Sequence, residues 1–335
     1  MTRTATPCLL ALLAGCAGAA PSATPARGAT PARGEGELAS SCEPPRLDPP
    51  RPASFAHTKS SLSAALGPPV HAVRDALAVE GRDVSVQAKL AYGALSKDLE
   101  HEPVRLFVGT CRTWTAMADA TTDDQGWMRA ALPPLAPGSY FLRVHVLGDA
   151  SAGDGALHVL RPGAPLAVFD VDGTLTTSDA ELVRELSSQL ASRRHVPEAY
   201  PGGAALTQAH ARRGDHVVYL TGRPYWLTGV TRDWLAAGGF ARGTLVTTDT
   251  GAEAVPTPAG VGDFKTRRLR GLREAGLVVA AAYGNASTDV LAYREGGVAT
   301  DVTFIIGKHA GEGGTRAVSG SWEPRARIVA EGGER

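Results

Sequence analysis

Between about Val70 and Leu160 apolar and polar positions alternate with period two. Val84, Val86, Ala88 and Leu90 are separated by Ser85, Gln87 and Lys89, and Tyr140, Leu142, Val144 and Val146 by Phe141, Arg143 and His145. Successive side chains of a strand point to opposite faces, so this alternation predicts half-buried strands. Residues 104–108, 114–118, 127–132 and 157–160 extend the series, and TTDDQG and LPPLAPGS supply turns between them. Short strands at this spacing predict a small all-β antiparallel sandwich over residues 60–160. No catalytic constellation is visible in it, and support of a neighbouring domain and ligand binding are both open.

After RPGAP the period changes. Apolar strand-like runs at 166–169, 216–220, 244–247, 277–283 and 302–306 alternate with helical patterns near 180–192, 225–237, 264–274 and 288–295. Strand and helix in alternation predict an α/β domain over residues 164–320, a doubly wound parallel sheet.

The N-terminus carries a different pattern. Arg3 precedes the short apolar stretch CLLALLAGCAGAA, which is too brief to span a bilayer and reads as an export signal. Within it LAGC resembles the bacterial lipobox, in which the cysteine is acylated, so residues 1–16 are expected to be a lipoprotein signal peptide and Cys16 the lipidation site. The competing reading is an ordinary secretory peptide cut near Ala20. Residues 17–53 are rich in Ala, Pro, Gly, Ser and Thr and too poor in large apolar residues for a core, which predicts a disordered tether. A chain of that length would hold the globular part roughly 30–40 Å from the anchor. Ala17 rather than Asp after the lipobox cysteine implies, by likeness to lipoprotein sorting patterns, a bacterial cell-envelope protein lipid-anchored in the outer membrane and facing the periplasm. Of the four cysteines, Cys42 and Cys111 are then left to pair in an oxidising compartment; the sequence permits that bridge and does not demand it.

Charge narrows the partners. Lys plus Arg and Asp plus Glu both total 34, so there is no basic field to gather nucleic acid, and none is expected as a partner. No His/Cys cluster has zinc spacing.

The candidate chemistry lies at the ends of the α/β strands. In VFDVDGTLTTSD the first apolar strand stops at Asp170, with Asp172 one residue further. Open parallel sheets build their sites at this carboxyl edge. Two carboxylates this close repel unless a cation or a shared proton separates them. The alternative is that both merely cap the next helix, but D-x-D-G-T arises by accident in under about one chain in a hundred of this length. After HVVYL comes TGRP, where Thr221 offers a hydroxyl, the Gly222 amide can approach an anion, and a helix starting near Pro224 would add its positive end; a plain strand-to-helix turn explains the same residues. DFKTRRLRGL places Lys265 at the start of a helix, where a cation opposes the dipole and so needs another reason to be present. AAAYGNASTDV ends a strand in Gly284 and Asn285, with Asp289 on the following helical turn, oxygens that suit a hard octahedral Mg²⁺.

FDVDGTLTTSD, VVYLTGRP, FKTRRLRGL and AAYGNASTDVLAYREGGV follow the order of the haloacid dehalogenase superfamily motifs. Residues 164–310 resemble the phosphatase domain of the lipins and the related C-terminal domain of the membrane-associated phosphatidylinositol transfer proteins. Lipins also set an immunoglobulin-like sandwich against that core. The resemblance implies a Mg²⁺-dependent phosphatase in which Asp170 attacks phosphorus to form an aspartyl-phosphate and Asp172 protonates the leaving oxygen and then activates water. Thr221, Gly222 and Lys265 would hold phosphoryl oxygens. The metal ligands implied are Asp170, the backbone carbonyl of Asp172, Asn285 and Asp289, the last in contact with the ion or one shell out. The transfer-protein relatives are regarded as catalytically impaired binders of phosphatidic acid, whereas here both aspartates are present; Asn285 replaces an Asp common in the superfamily but is shared with the lipins.

Only about 45 residues separate Asp172 from Thr221, too few for a large lid. With the anchor, this points to a phosphate monoester presented at a membrane, phosphatidic acid first, the alternatives being a soluble phosphomonoester or a non-catalytic phosphatidic-acid-binding domain. Arg267, Arg268, Arg270 and Arg273 would either meet anionic lipid or form a solvated helix face. Residues 307–314, GKHAGEGG, read as a mobile loop.

Overall fold

The computed structural model describes residues 42–177, 196–250 and 253–333. Its first domain runs α1 (Thr58–Ala65), β1 (Ala72–Val73), β2 (Ala76–Val79), β3 (Val84–Lys89), β4 (Ala91–Tyr92), β5 (Lys97–Asp98), β6 (Pro103–Gly109), β7 (Trp114–Thr121), β8 (Trp127–Leu132), β9 (Gly138–Val146) and β10 (Ala152–Leu160). A three-stranded sheet, β1-β3-β8, faces a five-stranded one, β2-β10-β9-β6-β7. The alternating residues behave as their period requires: Val84, Val86, Ala88, Leu142, Val144 and Val146 are buried in the core between the sheets while Ser85 faces solvent. Three features depart from the expected pattern, one being His145, which is buried at a polar position of the alternation. β2 pairs parallel to β10, so the sandwich is mixed rather than wholly antiparallel. Lys89, at a polar position of the alternation, is buried, its ammonium on Asp98 and the Gln125 carbonyl and near the ring of Trp127.

The second domain contains β11 (Pro165–Phe169), α2 (Gly203–Arg212), β12 (His216–Pro224), α3 (Thr228–Ala237), β13 (Thr244–Thr248), α4 (Asp263–Glu274), β14 (Val278–Gly284), α5 (Ser287–Glu295), β15 (Thr303–Ile306), β16 (Arg316–Val318) and α6 (Glu323–Ala330). Its six-stranded sheet has the order β13-β12-β11-β14-β15-β16, every neighbouring pair parallel. Apolar clusters cover both faces. Phe169, Tyr219, Tyr283 and Phe304 pack with Leu206, Trp234 and Trp322 on one; Leu166, Val168, Val218 and Leu220 pack with Phe264, Leu269 and Tyr293 on the other. Burial on two faces is why these strands read as continuous apolar runs.

α2, β16 and α6 go beyond the sequence-based elements. α2 is written GAALTQAHAR, whose inward face is Leu206, Ala209 and His210, too small and too polar to register as an amphipathic stripe. It packs on α6, which extends this domain past residue 320. The helix predicted near 180–192 falls on residues 178–195, outside the described residues.

The domains are joined by buried polar contacts. Asp75 accepts from Arg232 Nη2 at 2.8 Å, the Leu245 amide at 2.8 Å and the Ala156 amide at 2.8 Å. Arg74 pairs with Asp249, and the Ser96 hydroxyl lies 3.3 Å from Tyr225 Oη. Cys42 and Cys111 form a disulfide across 69 residues of sequence, and Arg242 of the second domain donates to the Cys42 carbonyl at 3.1 Å.

Candidate active site

The ends of β11, β12 and β14 converge on a cavity of about 740 Å³ at the carboxyl edge of the parallel sheet, with Asp170, Asp172, Gly222, Lys265, Asn285 and Asp289 in its lining. Thr221 is buried beneath it. Of the residues singled out in the sequence only Cys16 lies outside the described residues.

The loop after β11 is shaped locally. Gly173 adopts φ +74°, a left-handed conformation that favours glycine, and its amide donates to Thr176 Oγ1 at 2.9 Å. The buried Trp322 indole donates to the Thr174 carbonyl at 2.7 Å and ties the loop to the entrance of α6. Thr174 itself is a contributor that motif spacing did not single out as a carboxylate contact. Its hydroxyl lies 2.9 Å from Asp170 Oδ2 and 3.1 Å from Asn285 Oδ1, and with one proton it can donate to one of them at a time.

Lys265 explains its own unfavourable position in the first turn of α4. It is buried, with Nζ 2.5 Å from Asp170 Oδ1 and 2.6 Å from Asp289 Oδ1. Burial opposes its charge, but the two carboxylates prevail and hold the ammonium above the usual lysine range. Asp289 is doubly occupied, since its Oδ2 also accepts the Asn285 and Ala286 amides at 3.1 Å each, capping α5. A Cβ on Gly284 would come within 2.7 Å of the Asp289 Cβ, so the strand end must be glycine for this approach.

Asp172 is turned away from Lys265. Arg223, fully buried, donates Nη2 to Asp172 Oδ1 at 2.8 Å and Nε to Oδ1 and Oδ2 at 3.0 and 3.1 Å, while Thr221 donates to Oδ2 at 3.2 Å. Arg223 was not among the sequence candidates. The signal for it was present: in an extended TGRP segment Thr221 and Arg223 share a face. β12 does continue through Pro224, and α3 begins only at Thr228 after a short 3-10 turn at Tyr225–Leu227. The helix start expected beside TGRP is therefore displaced, and Arg223 supplies the positive charge at that point.

Within the ion-paired cluster three carboxylates, Asp170, Asp172 and Asp289, share two cations, Lys265 and Arg223, one negative charge in excess, while Lys308 also lines the cavity. Burial, with Asp289 and Asp172 nearby, pushes the Asp170 carboxyl up to about 7 despite Lys265. Among the described residues no group of three or more His, Cys, Asp or Glu is arranged to hold a metal. A cation here would use neutral oxygens besides Asp170, and the Asn285 amide oxygen, which shares the Thr174 hydroxyl with Asp170, is one such oxygen. One carboxylate with neutral oxygens is a donor set of the kind Mg²⁺ takes while keeping several waters.

Arg267, Arg270 and Arg273 stand exposed on α4, as the solvated-face alternative expects. Arg267 and Arg268 pair with Glu253 and Asp249 at 2.5 and 2.9 Å, and Arg270 and Arg273 donate to the Glu295 and Gly296 carbonyls at 2.9 and 3.0 Å. Each of the four arginines is tied to its own fold. Residues 307–314 contain two 3-10 turns, Gly307–His309 and Glu312–Gly314, bridged by His309 Nδ1 to Glu312 Oε2 at 2.6 Å.

Comparison with known proteins agrees with this two-domain order. Residues 69–159 match the model of the PITM 1-3 beta-sandwich domain and residues 167–307 that of the PITM 1-3 LNS2 domain. The chain thus carries a β-sandwich domain followed by an LNS2 domain, a lipin-like fold of the haloacid dehalogenase type. Among curated proteins it is similar to Drosophila melanogaster protein retinal degeneration B, 28% identical over 246 residues, covering 71% of this chain and 18% of that one. Membrane-associated phosphatidylinositol transfer protein 1 of Homo sapiens is 27% identical over the same shares of each chain. Mouse membrane-associated phosphatidylinositol transfer protein 3 is 25% identical, covering 71% of this chain and 23% of its own. The chain therefore spans less than a quarter of the length of these relatives.

Proposed function

We propose that this protein is a Mg²⁺-dependent phosphatase that forms an aspartyl-phosphate on Asp170 and acts on a membrane phospholipid monoester of the phosphatidic acid class. The observation that carries the reading is the convergence of Asp170, Asp172, Lys265 and Asn285 on one cavity at the carboxyl edge of the sheet. The relatives named as phosphatidylinositol transfer proteins support a phospholipid partner.

Asp170 is placed by the Tyr283 carbonyl, which accepts its amide at 2.9 Å, and by Lys265 and Thr174 on its two carboxylate oxygens. One of those oxygens attacks phosphorus as the ester P–O bond breaks, and Asp172, entering the step protonated as the water step of the preceding turnover leaves it, passes that proton to the departing alkoxide. To do so Asp172 must turn from Arg223 and Thr221 toward the cavity. Its carboxylate then takes a proton from the water that cleaves the phospho-aspartate, releasing phosphate and restoring Asp170. Lys265 is close enough to Asp170 to neutralise a phosphoryl oxygen during both steps. Mg²⁺ held by Asp170, Asn285 and the Asp172 carbonyl, with Asp289 orienting the Asn285 loop, would offset the excess negative charge and polarise the phosphoryl group.

Phosphate release from phosphatidic acid vesicles and from soluble esters, with and without Mg²⁺, tests this. Mg²⁺-dependent release that favours phosphatidic acid supports the reading. Release only from soluble esters moves the substrate to a soluble phosphomonoester. Vesicle binding without release supports the second reading, a non-catalytic phosphatidic-acid-binding domain; that a relative is named as a transfer protein rather than a hydrolase is in keeping with it. Lipid anchoring at Cys16 in the bacterial envelope belongs to the same proposal, and Cys16→Ser is expected to move the protein from the membrane to the soluble envelope fraction.

A further inference from the structure

We propose that an apolar face formed by Leu62, Leu66, Leu95 and Trp226 docks on a bilayer surface that carries anionic phospholipid; the inference rests on the reading above that the substrate is a membrane lipid. These residues come from three separate stretches of chain that are linked to one another near the contact between the two domains. Leu62 lies one helical turn from Leu66, at the C-terminal end of α1. Leu66 abuts the β4–β5 turn, where a Cβ on Gly93 would fall 2.9 Å from its carbonyl oxygen. That turn carries Leu95 and then Ser96, whose hydroxyl is 3.3 Å from Tyr225 Oη, and the Tyr225 ring lies 5.1 Å from that of Trp226.

All four side chains stand in solvent, exposed by 67, 64, 93 and 38% for Leu62, Leu66, Leu95 and Trp226. Single exposed apolar residues need no explanation, but a group at one junction does. Leu95 projects from a hairpin turn rather than lining a groove, which suits insertion among lipid headgroups better than the concave seat a peptide or helix requires. Trp226 has the amphipathic ring that settles at that level. Lys59 and Lys97 flank the face and share the single carboxylate of Glu100, at 2.5 and 3.5 Å, which leaves one positive charge for lipid phosphates.

The face also adjoins the cavity. Trp226 follows by three residues the Arg223 that holds Asp172, at the same carboxyl edge of the sheet. Docking here would bring the mouth of the cavity to headgroup depth, where a phosphate monoester of a lipid resides.

The test compares the full-length chain carrying Cys16→Ser with its Leu95→Glu variant and with a Leu62→Glu, Leu66→Glu double variant in the same background, so that no lipid anchor masks binding by the face. Each is sedimented with phosphatidylcholine vesicles, alone or with phosphatidic acid or phosphatidylglycerol, and assayed on a soluble phosphate ester. Both variants are expected to lose about tenfold in binding to either anionic vesicle, with thermal unfolding and soluble-ester turnover unchanged. Parental binding by both variants overturns the proposal. So does a parent that elutes as a dimer and becomes monomeric in Leu95→Glu with vesicle binding unchanged, an outcome that assigns the face to a second copy. A chain that binds vesicles through Leu95 yet hydrolyses no ester upholds the docking face and overturns the enzymatic reading.

Discussion

Arg223 and Asp172 form a two-point pair in which a fully buried guanidinium meets both oxygens of a carboxylate that borders the cavity, Nη2 to Oδ1 at 2.8 Å and Nε to Oδ2 at 3.1 Å. A buried arginine is tolerated only when its donors are matched, and Thr231 Oγ1 takes Nη1 at 3.1 Å. Arg223→Met would leave Asp172 unmatched in a largely buried setting. It is expected to cost about 3–5 kcal/mol of stability in chemical denaturation. Arg223→Lys should retain the charge but not the two-point contact, giving an intermediate loss of stability. Equal stability of Arg223→Met and parent would show the pair to be dispensable.

Asp170→Asn keeps the side-chain shape, removes the attacking oxygen charge and leaves Lys265 on Asp289. Turnover is expected to fall by at least about a thousandfold. The unfolding midpoint should stay close to the parent's, because loss of the Lys265 pair is accompanied by loss of repulsion from Asp172 and Asp289. Rapid-quench measurement of phosphate release, beside a denaturation curve, separates a nucleophile from a structural carboxylate.

The Cys42–Cys111 bridge closes a long loop over a sequence separation of 69 residues and fastens the chain entering the sandwich to the β6–β7 turn. Loop-closure entropy for that length is worth about 4 kcal/mol. Cys111→Ser, or the reduced parent, is expected to unfold at correspondingly lower denaturant, and identical midpoints with and without reductant would remove the bridge from the stability of the domain.

His71 supplies a dependence on pH. Burial drives its imidazole down to about 4 against the opposing pull of Asp149, and its Nδ1 accepts the Ala91 amide at 3.3 Å while Nε2 meets Ser151 Oγ at 2.9 Å. The folded form thus holds the proton less tightly than the unfolded chain, where histidine titrates near 6.5. Stability is unaffected above that value, falls as pH drops from about 6.5 to 4, and levels off below, a total of about 3 kcal/mol. Denaturation midpoints across that range should show the slope, and His71→Gln should flatten it even if its neutral stability is lower. His145, His158, His210 and His216 are also depressed by burial and are expected to leave a residual slope of the same sign.

The sequence by itself determined the two-domain order, most strands, and the residues that gather at the sheet edge. Alternation through 84–90 is legible because one face of the strand meets the core and the other meets water. Asp170, Lys265 and Asn285 are legible because each follows or opens an element at a place where its charge or polarity needs a reason. Only the tertiary structure decided how those charges are shared. The α2 helix is hidden in the sequence because its inward face has one large apolar residue, Leu206, beside Ala209 and His210, and the histidine becomes core only when Asp215 and Tyr283 meet its ring at 2.7 Å each. Arg223 is hidden because an arginine is ordinarily solvated, and its burial depends on Asp172, 51 residues away in the chain. Asp289 reads from the sequence as a metal neighbour; that it caps α5 and holds Lys265 on its other oxygen is visible only in the structure. Local pattern specifies which face of an element leaves water, since that depends on near neighbours in the chain; which charge neutralises which depends on distances that exist only once the sheet has assembled.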